Sequence, residues 1–285
     1  MFLLFLVGIL AAFNYIATMK KLTSWFAILL IATVIKSCGG CNERQLLEKA
    51  KPYYEKAVEL EQNGQFSSAV AFYDTAIQIF PDYRDAYFQM GTVYERLVIP
   101  EKAAASYRAA IRNDADFAAA HNNLGNCYGK LNKLDSALVH LKKAIQLDPQ
   151  SPSAHYNLGH AALLKGDFSG AETAFTAALA LRPSDPDYLQ ALAMLYVTQN
   201  KLAEALPLYE RAALQRLAQP ELRYRMALVY RDQKMYPSAL TELEAYLKTR
   251  ADPQEQTMIR RLIGEIKVEQ SREKLAQARK VYQKP

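Results

Sequence analysis

Six alanines recur at intervals of 34 residues along most of this 285-residue chain. They are Ala69, Ala103, Ala137, Ala171, Ala205 and Ala239. Twelve residues before each alanine lies a second small residue, in the series Ala57, Gly91, Gly125, Gly159, Ala193 and Ala227. A fixed period of this length is typical of repeat proteins, in which each repeat packs against its neighbours. The two small positions predict that two helices pass closely within every repeat.

Both halves of each repeat show apolar residues at helical spacing, i, i+3, i+4 and i+7. Turn-forming residues lie between the halves, as in Asn63-Gly64 and Gly166-Asp167, and prolines such as Pro149 lie at the ends of repeats. Each repeat is therefore predicted to be a helix-turn-helix. The second repeat departs from the pattern, because Val98-Ile99-Pro100 stands where its central turn is expected.

This pattern resembles the tetratricopeptide repeat family, most clearly over residues 120–128 and 154–159. The resemblance implies an all-α fold, a right-handed superhelical solenoid of helix-turn-helix repeats. It covers residues 50–253 in six repeats, which are 50–83, 84–117, 118–151, 152–185, 186–219 and 220–253. Residues 38–49 are then a linker and the start of the first helix.

Residues 254–285 are predicted to form a capping helix and a basic tail. A single repeat cannot bury its own apolar faces, so the last repeat needs a capping helix that covers its outer face. One apolar stripe of this segment serves that purpose: Met258, Ile259, Leu262, Ile263 and Ile266. Beyond the stripe the tail is polar and basic, which favours a solubilising role. The alternative is contact with anionic lipid or glycan through Arg272, Lys274, Arg279 and Lys280.

The first 37 residues are predicted to be a leader. The apolar run of residues 22–35 is too short for a normal spanning helix and follows Lys20-Lys21. Residues 19–37 therefore have the charge and length of a signal peptide. Residues 1–18 are apolar and uncharged. They are interpreted as an extension upstream of a true start at Met19, with a membrane segment as the alternative.

The end of the leader, Ile35-Lys36-Ser37-Cys38, resembles the lipobox of bacterial lipoproteins. The resemblance implies that Cys38 carries the lipid, and Cys41 is the alternative attachment site. Several acyl chains give stable anchoring. The expected location is the bacterial cell envelope, lipid-anchored with periplasmic repeats. The alternative is inner-membrane anchoring, with repeats that face the cytosol.

The net charge of +6 does not belong to the repeats. Residues 1–37 carry three basic and no acidic residues, and residues 257–285 carry eight basic and three acidic residues. The intervening chain has 24 basic and 26 acidic residues, so it is slightly acidic. The repeats therefore lack the electrostatic footprint of a nucleic-acid-binding protein, and we expect no nucleic-acid partner.

Resemblance to the family also implies a concave groove, lined by the first helix of each repeat, that binds peptides or helices of partner proteins. Carrying its positions onto this chain gives the predicted groove residues Tyr54, Phe88, Asn122, Asn126, Tyr156, Asn157, His160 and Tyr224. Asn126 and Asn157 resemble two members of the family's carboxylate clamp. Its basic members are absent, since Asn122, Asp187 and Ala191 occupy those places.

No catalytic, metal or cofactor site is expected. The four histidines, His121, His140, His155 and His160, form no i, i+4 pair for a metal, and Cys127 falls among small inward positions as a buried thiol. We therefore expect a non-catalytic protein-interaction scaffold or tether without a small-molecule substrate. The alternative is a regulatory or docking subunit of an envelope enzyme complex.

Overall fold

The computed structural model describes residues 42–215, 220–249 and 252–282, and this part of the chain contains helices and turns but no strand. The predicted all-α repeat solenoid is confirmed. The leader, with both cysteines proposed for lipid attachment, lies outside the described residues. The helices are α1 (42–62), α2 (Phe66–Ile79), α3 (Arg84–Arg96), α4 (Pro100–Asn113), α5 (Ala118–Lys130), α6 (Leu134–Leu147), α7 (Pro152–Leu164), α8 (Phe168–Leu181), α9 (Pro186–Thr198), α10 (Leu202–Gln215), α11 (Pro220–Asp232), α12 (Tyr236–Leu247) and α13 (Pro253–Tyr282).

Local sequence explains where the first helices of the repeats begin. Proline occupies the first turn of α7 and of α9, where the missing N–H costs no helical hydrogen bond. Ser151 caps α7 by accepting the Ala154 N–H at 3.4 Å. Asp185 caps α9 by accepting the N–H groups of Asp187 and Tyr188.

A left-handed residue recurs in every central turn at intervals of 34. The series is Gly64, Val98, Asn132, Gly166, Asn200 and Lys234, with φ between 55° and 81°. Val98 is the exceptional member, because a β-branched residue in this conformation costs about 1–2 kcal/mol. The divergent Val98-Ile99-Pro100 sequence nevertheless forms a turn like the others, and Pro100 begins α4. The left-handed conformation therefore follows the 34-residue period even where the local sequence departs from it.

The described residues up to Ile99 form one compact unit, and those from Pro100 onward form a second. In the first unit, α1, α2 and α3 enclose Tyr73, whose ring is fully buried. Its hydroxyl donates to Glu61 at 3.0 Å, and Arg96 lies 3.6 Å from the same carboxylate. The buried phenol is thereby satisfied.

The two small positions of each repeat are contact points between its helices. All six alanines of the first series are fully buried. In the second unit, a Cβ on Gly125 would lie 2.5 Å from Cγ of Leu141, and a Cβ on Gly159 would lie 2.5 Å from the ring of Phe175. The predicted close passage of two helices within a repeat is confirmed.

The long helix α13 packs against α12 through part of the predicted stripe. Ile259, Ile263 and Ile266 are buried in one cluster with Leu243 and other residues of the last repeats. The assignment of Met258 to this buried stripe is wrong, because its side chain is 52% exposed. A helix turns by about 100° per residue, so Met258 points away from the face that Ile259 presents to α12.

Candidate functional site

A trough of about 290 Å³ lies between α5 and α7. We call it the α5–α7 trough, and its lining residues are Gly125, Asn126, Gly129, Lys130, Tyr156, Asn157, His160, Ala161 and Leu164. Four of the eight predicted groove residues, Asn126, Tyr156, Asn157 and His160, are thus brought together. The structure shows these side chains around one cavity, whereas the sequence placed them only by repeat position.

Two glycines on α5 give the trough its space. Gly125 is needed for close packing of α5 on α6. Gly129 has no such role, since a Cβ there would meet no atom within 4 Å. The absence of a side chain at Gly129 therefore leaves part of the cavity open.

A chain of amide hydrogen bonds joins α7 to α5 and α4. Asn157 donates from Nδ2 to Oδ1 of Asn122 at 3.0 Å, and Asn122 donates to Oδ1 of Asn123 at 3.2 Å. Asn123 in turn donates to the hydroxyl of the buried Tyr107 at 3.2 Å. Asn122 therefore orients Asn157. The second N–H and the carbonyl oxygen of Asn157 have no partner among the described residues.

Aromatic rings form the wall of the trough on α7. The ring centroid of Tyr156 lies 4.5 Å from that of His160 and 4.8 Å from that of Tyr188 on α9. His160 also contacts the buried Phe175 edge-on at 5.2 Å. Burial lowers the pKa of His160, which favours a neutral imidazole.

Tyr188 is a site residue that sequence reasoning missed. It occupies the third position of its repeat, where the two preceding repeats have the buried alanines Ala120 and Ala154. A large aromatic in a series of small residues was the signal available. Burial raises the pKa of the stacked Tyr156, and the negative charge of Asp187 adds a smaller effect in the same direction. The phenol of Tyr156 therefore stays protonated.

The remaining predicted groove residues lie elsewhere. In the first unit, Tyr54 packs between Tyr73 at 5.7 Å and Tyr83 at 5.0 Å, and Phe88 is half-buried on α3. In the second unit, Tyr224 lies 6.5 Å from Tyr246. None of them lines the α5–α7 trough.

Two histidines that the sequence did not connect form a pair, in which His121 is buried and His140 is partly buried. Nδ1 of His121 lies 2.9 Å from Nδ1 of His140, and Nε2 of His121 lies 3.1 Å from the carbonyl oxygen of Ala115. A carbonyl only accepts, so Nε2 of His121 carries hydrogen and its Nδ1 accepts from His140. Burial lowers the pKa of both imidazoles; nearby Lys143 acts in the same direction on His121 and Asp116 opposes it.

Acidification is expected to destabilise the fold through this pair. Unfolded imidazoles titrate near 6.5, so below that pH the unfolded chain binds more protons than the folded chain, and stability falls. His140→Gln keeps a donor for His121 but removes one titrating group. The loss of urea stability between pH 7.5 and 5.5 should therefore be smaller in this variant than in the parent chain.

His155 offers a matched control for that measurement. It lies 34 residues after His121, and its Nε2 contacts the carbonyl oxygen of Pro149 at 3.1 Å, six residues back, as His121 contacts Ala115. It has no imidazole partner among the described residues. Equal pH profiles for His140→Gln and His155→Gln would contradict a special role of the pair.

The described residues contain no metal-binding group of three or more His, Cys, Asp or Glu side chains. Cys127 is a buried free thiol, as expected. None of the described helices combines the length and apolarity that crossing a bilayer requires.

Family models of the tetratricopeptide repeat match most of the chain. The matched segments are 44–63, 54–116, 118–151, 152–185 and 191–255. The chain is also 40% identical over 42 residues to the uncharacterized protein MJ0572 of Methanocaldococcus jannaschii. That match covers 15% of this chain and about half, 49%, of the relative's length.

Solved structures share the fold at low sequence identity. PilW, described as a widely conserved type IV pilus biogenesis factor, aligns with a TM-score of 0.68 and 21% identity over 74% of this chain and 98% of its own. YrrB, described as a TPR protein with an unusual peptide-binding site, aligns with a TM-score of 0.51 and 23% identity over 62% of this chain and 93% of its own.

Proposed function

The chain belongs to the tetratricopeptide repeat family, and on that premise we propose that it is a non-catalytic scaffold that binds an extended segment of a partner protein in the α5–α7 trough. The family supports a role in protein–protein interaction. The proposal that the partner binds in the trough rests on the side chains that line it. It does not depend on the pilus role named for PilW.

The observation that carries the proposal is the pairing of amides with rings around one cavity. Asn157 offers an N–H and a carbonyl oxygen, which match the acceptor and donor of a peptide unit. Tyr156, held by Tyr188 and His160, is a rigid apolar surface for a partner side chain. An extended segment alternates peptide units, which can pair with Asn157, and side chains, which can pack on Tyr156.

Charged side chains in and beside the trough favour one kind of segment. Lys130 lines the trough at the end of α5, and Asp187 lies close enough to Tyr156 to raise the pKa of its phenol. A partner segment with an acidic residue near Lys130 and a basic residue near Asp187 would complement both charges. We propose such a segment as the preferred ligand.

We also propose that the scaffold is anchored at the bacterial cell envelope by a lipid on Cys38, with Cys41 as the alternative. The basis is the leader sequence, with its basic pair, apolar core and lipobox-like end. In this arrangement the repeats tether a partner close to a membrane.

The test is a crosslinking pull-down from envelope fractions with the full chain. Tyr156→Ala combined with Asn126→Ala is expected to reduce partner recovery at least about tenfold, which corresponds to about 1.4 kcal/mol. Gly129→Leu should have the same effect, because it places a side chain in the trough at a position where a Cβ meets no other atom within 4 Å.

The matched control removes an aromatic ring and an amide outside the trough. Phe168→Ala with Asn113→Ala changes two exposed side chains and should leave recovery unchanged. Circular dichroism verifies that all variants are folded. Undiminished recovery by the Tyr156 and Asn126 double variant would overturn the trough as the binding site. A chain found only in the cytosolic fraction would overturn the anchoring.

A further inference from the structure

The distal half of α13 extends beyond the residues that bury it. Within residues 253–279 of the helix, Ile266 is the last buried residue. Further along, one side of α13 is still held to the start of α12, because Glu273 accepts from Lys234 at 3.2 Å and from the Tyr236 hydroxyl at 2.9 Å. The opposite side has no such contacts with the residues that the structure describes.

That opposite side carries an apolar line, which we call the outer seam. Val268 and Leu275 are 50% and 63% exposed and stand seven residues apart, so they share one side of the helix. The small residues Gly264, Ser271 and Ala278 continue the line at spacings of three and four. This 3.5-residue periodicity is typical of a helix that receives a second helix along its length.

Basic side chains flank the outer seam on both sides. Lys267 and Lys274 lie on one flank, and Arg272 and Arg279 lie on the other. All four are exposed, and none forms an ion pair with another described residue.

The acidic residues of this segment are directed elsewhere. Glu265 pairs with Arg261 at 3.0 Å, Glu273 pairs with Lys234, and Glu269 lines the cleft beside Tyr236. Arg272 also lines that cleft, beside Glu269 and Glu273, whereas Lys267, Lys274 and Arg279 form no ion pair with a described residue. The seam therefore has an excess of positive charge around an apolar centre.

We propose that the outer seam binds an acidic amphipathic helix of a partner protein. Its apolar residues pack on Val268 and Leu275, and its Asp or Glu side chains face the four flanking cations. A second copy of this chain is a poor occupant, because parallel and antiparallel pairing both bring like charges together. A membrane is also poorly matched, since the described seam offers only two large apolar side chains for insertion.

The experiment measures binding of the full chain to a synthetic probe by fluorescence anisotropy. The probe is a labelled 21-residue helix with Leu at the a and d positions and Glu at the e and g positions. Saturable binding is expected, weakened by added salt. A matched probe with Lys in place of Glu should bind at least about tenfold more weakly.

Variants of the chain identify the surface. Leu275→Asp should weaken binding at least about tenfold without unfolding the chain, since this side chain is mostly exposed. The combination Arg272→Glu, Lys274→Glu and Arg279→Glu should reverse the preference and select the Lys probe. The control combination Arg108→Glu, Lys133→Glu and Lys142→Glu reverses three exposed charges away from α13 and should change neither affinity.

Three results would overturn the proposal. One is equal affinity for the Glu and Lys probes, or no binding of either. Another is binding to phosphatidylglycerol vesicles that Leu275→Asp abolishes, without binding of the Glu probe. The third is a dimer in analytical ultracentrifugation that the same substitution dissociates.

Discussion

Replacing Phe175 with alanine is expected to lower the free energy of unfolding by about 3–5 kcal/mol. Phe175 is fully buried at the contact between α7 and α8, and its ring touches His160 and the backbone at Gly159. Removing the ring leaves a cavity that neighbouring helices cannot close without shifting. Urea denaturation followed by circular dichroism at 222 nm measures the effect.

Phe168 provides the comparison within the same helix. It begins α8 and is 44% exposed, so Phe168→Ala removes the same atoms from a site that is already partly hydrated. Its expected cost is below about 1 kcal/mol. Similar losses for the two variants would show that burial against α7 does not determine the contribution of Phe175.

Adding one methyl group at Gly159 is the second large effect that we expect. A Cβ there would lie 2.5 Å from two ring carbons of Phe175, so Gly159→Ala should destabilise the fold by about 1–3 kcal/mol. Gly129→Ala is the matched control, because its Cβ meets no atom within 4 Å. That variant should gain up to about 1 kcal/mol from the better helix propensity of alanine.

The two core substitutions are also expected to be coupled. With Phe175→Ala in place, the ring that obstructs Gly159→Ala is gone, and the methyl group should become neutral or stabilising. A double-mutant cycle measures this interaction directly. The same penalty for Gly159→Ala in both backgrounds would contradict a steric contact with Phe175 as its cause.

Sequence predicts the repeats well because their packing depends on few positions. Ala103, Ala137 and Ala171 are fully buried inside their repeats, and a small residue recurs at this position every 34 residues. Even the unusual Val98 turn follows this period. Where the packing geometry restricts a position to one residue type, the recurrence of that type in the sequence predicts the repeat without a structure.

The contacts of the candidate site were less predictable, because a long polar or aromatic side chain can reach several neighbouring residues. Position within the repeat placed Asn122 in the groove, but it could not show that Asn122 bonds to Asn157, 35 residues away. The pairing of His121 with His140 and the stacking of Tyr188 on Tyr156 likewise depend on rotamers and helix register. Met258 shows the same limit for apolar residues, since a shift of one position moves a side chain from core to surface.

The helices of residues 100–282 draw their main packing from partners that are adjacent or nearly adjacent along the chain. Such contacts require only short loops to close, so the entropic barrier to forming each one is small and folding can start at any helix pair. Each pair is then stabilised by the next one, as in a one-dimensional chain of coupled elements. Resistance to opening therefore varies with position, and helices at the end of the array should exchange their amide hydrogens sooner than those around Phe175.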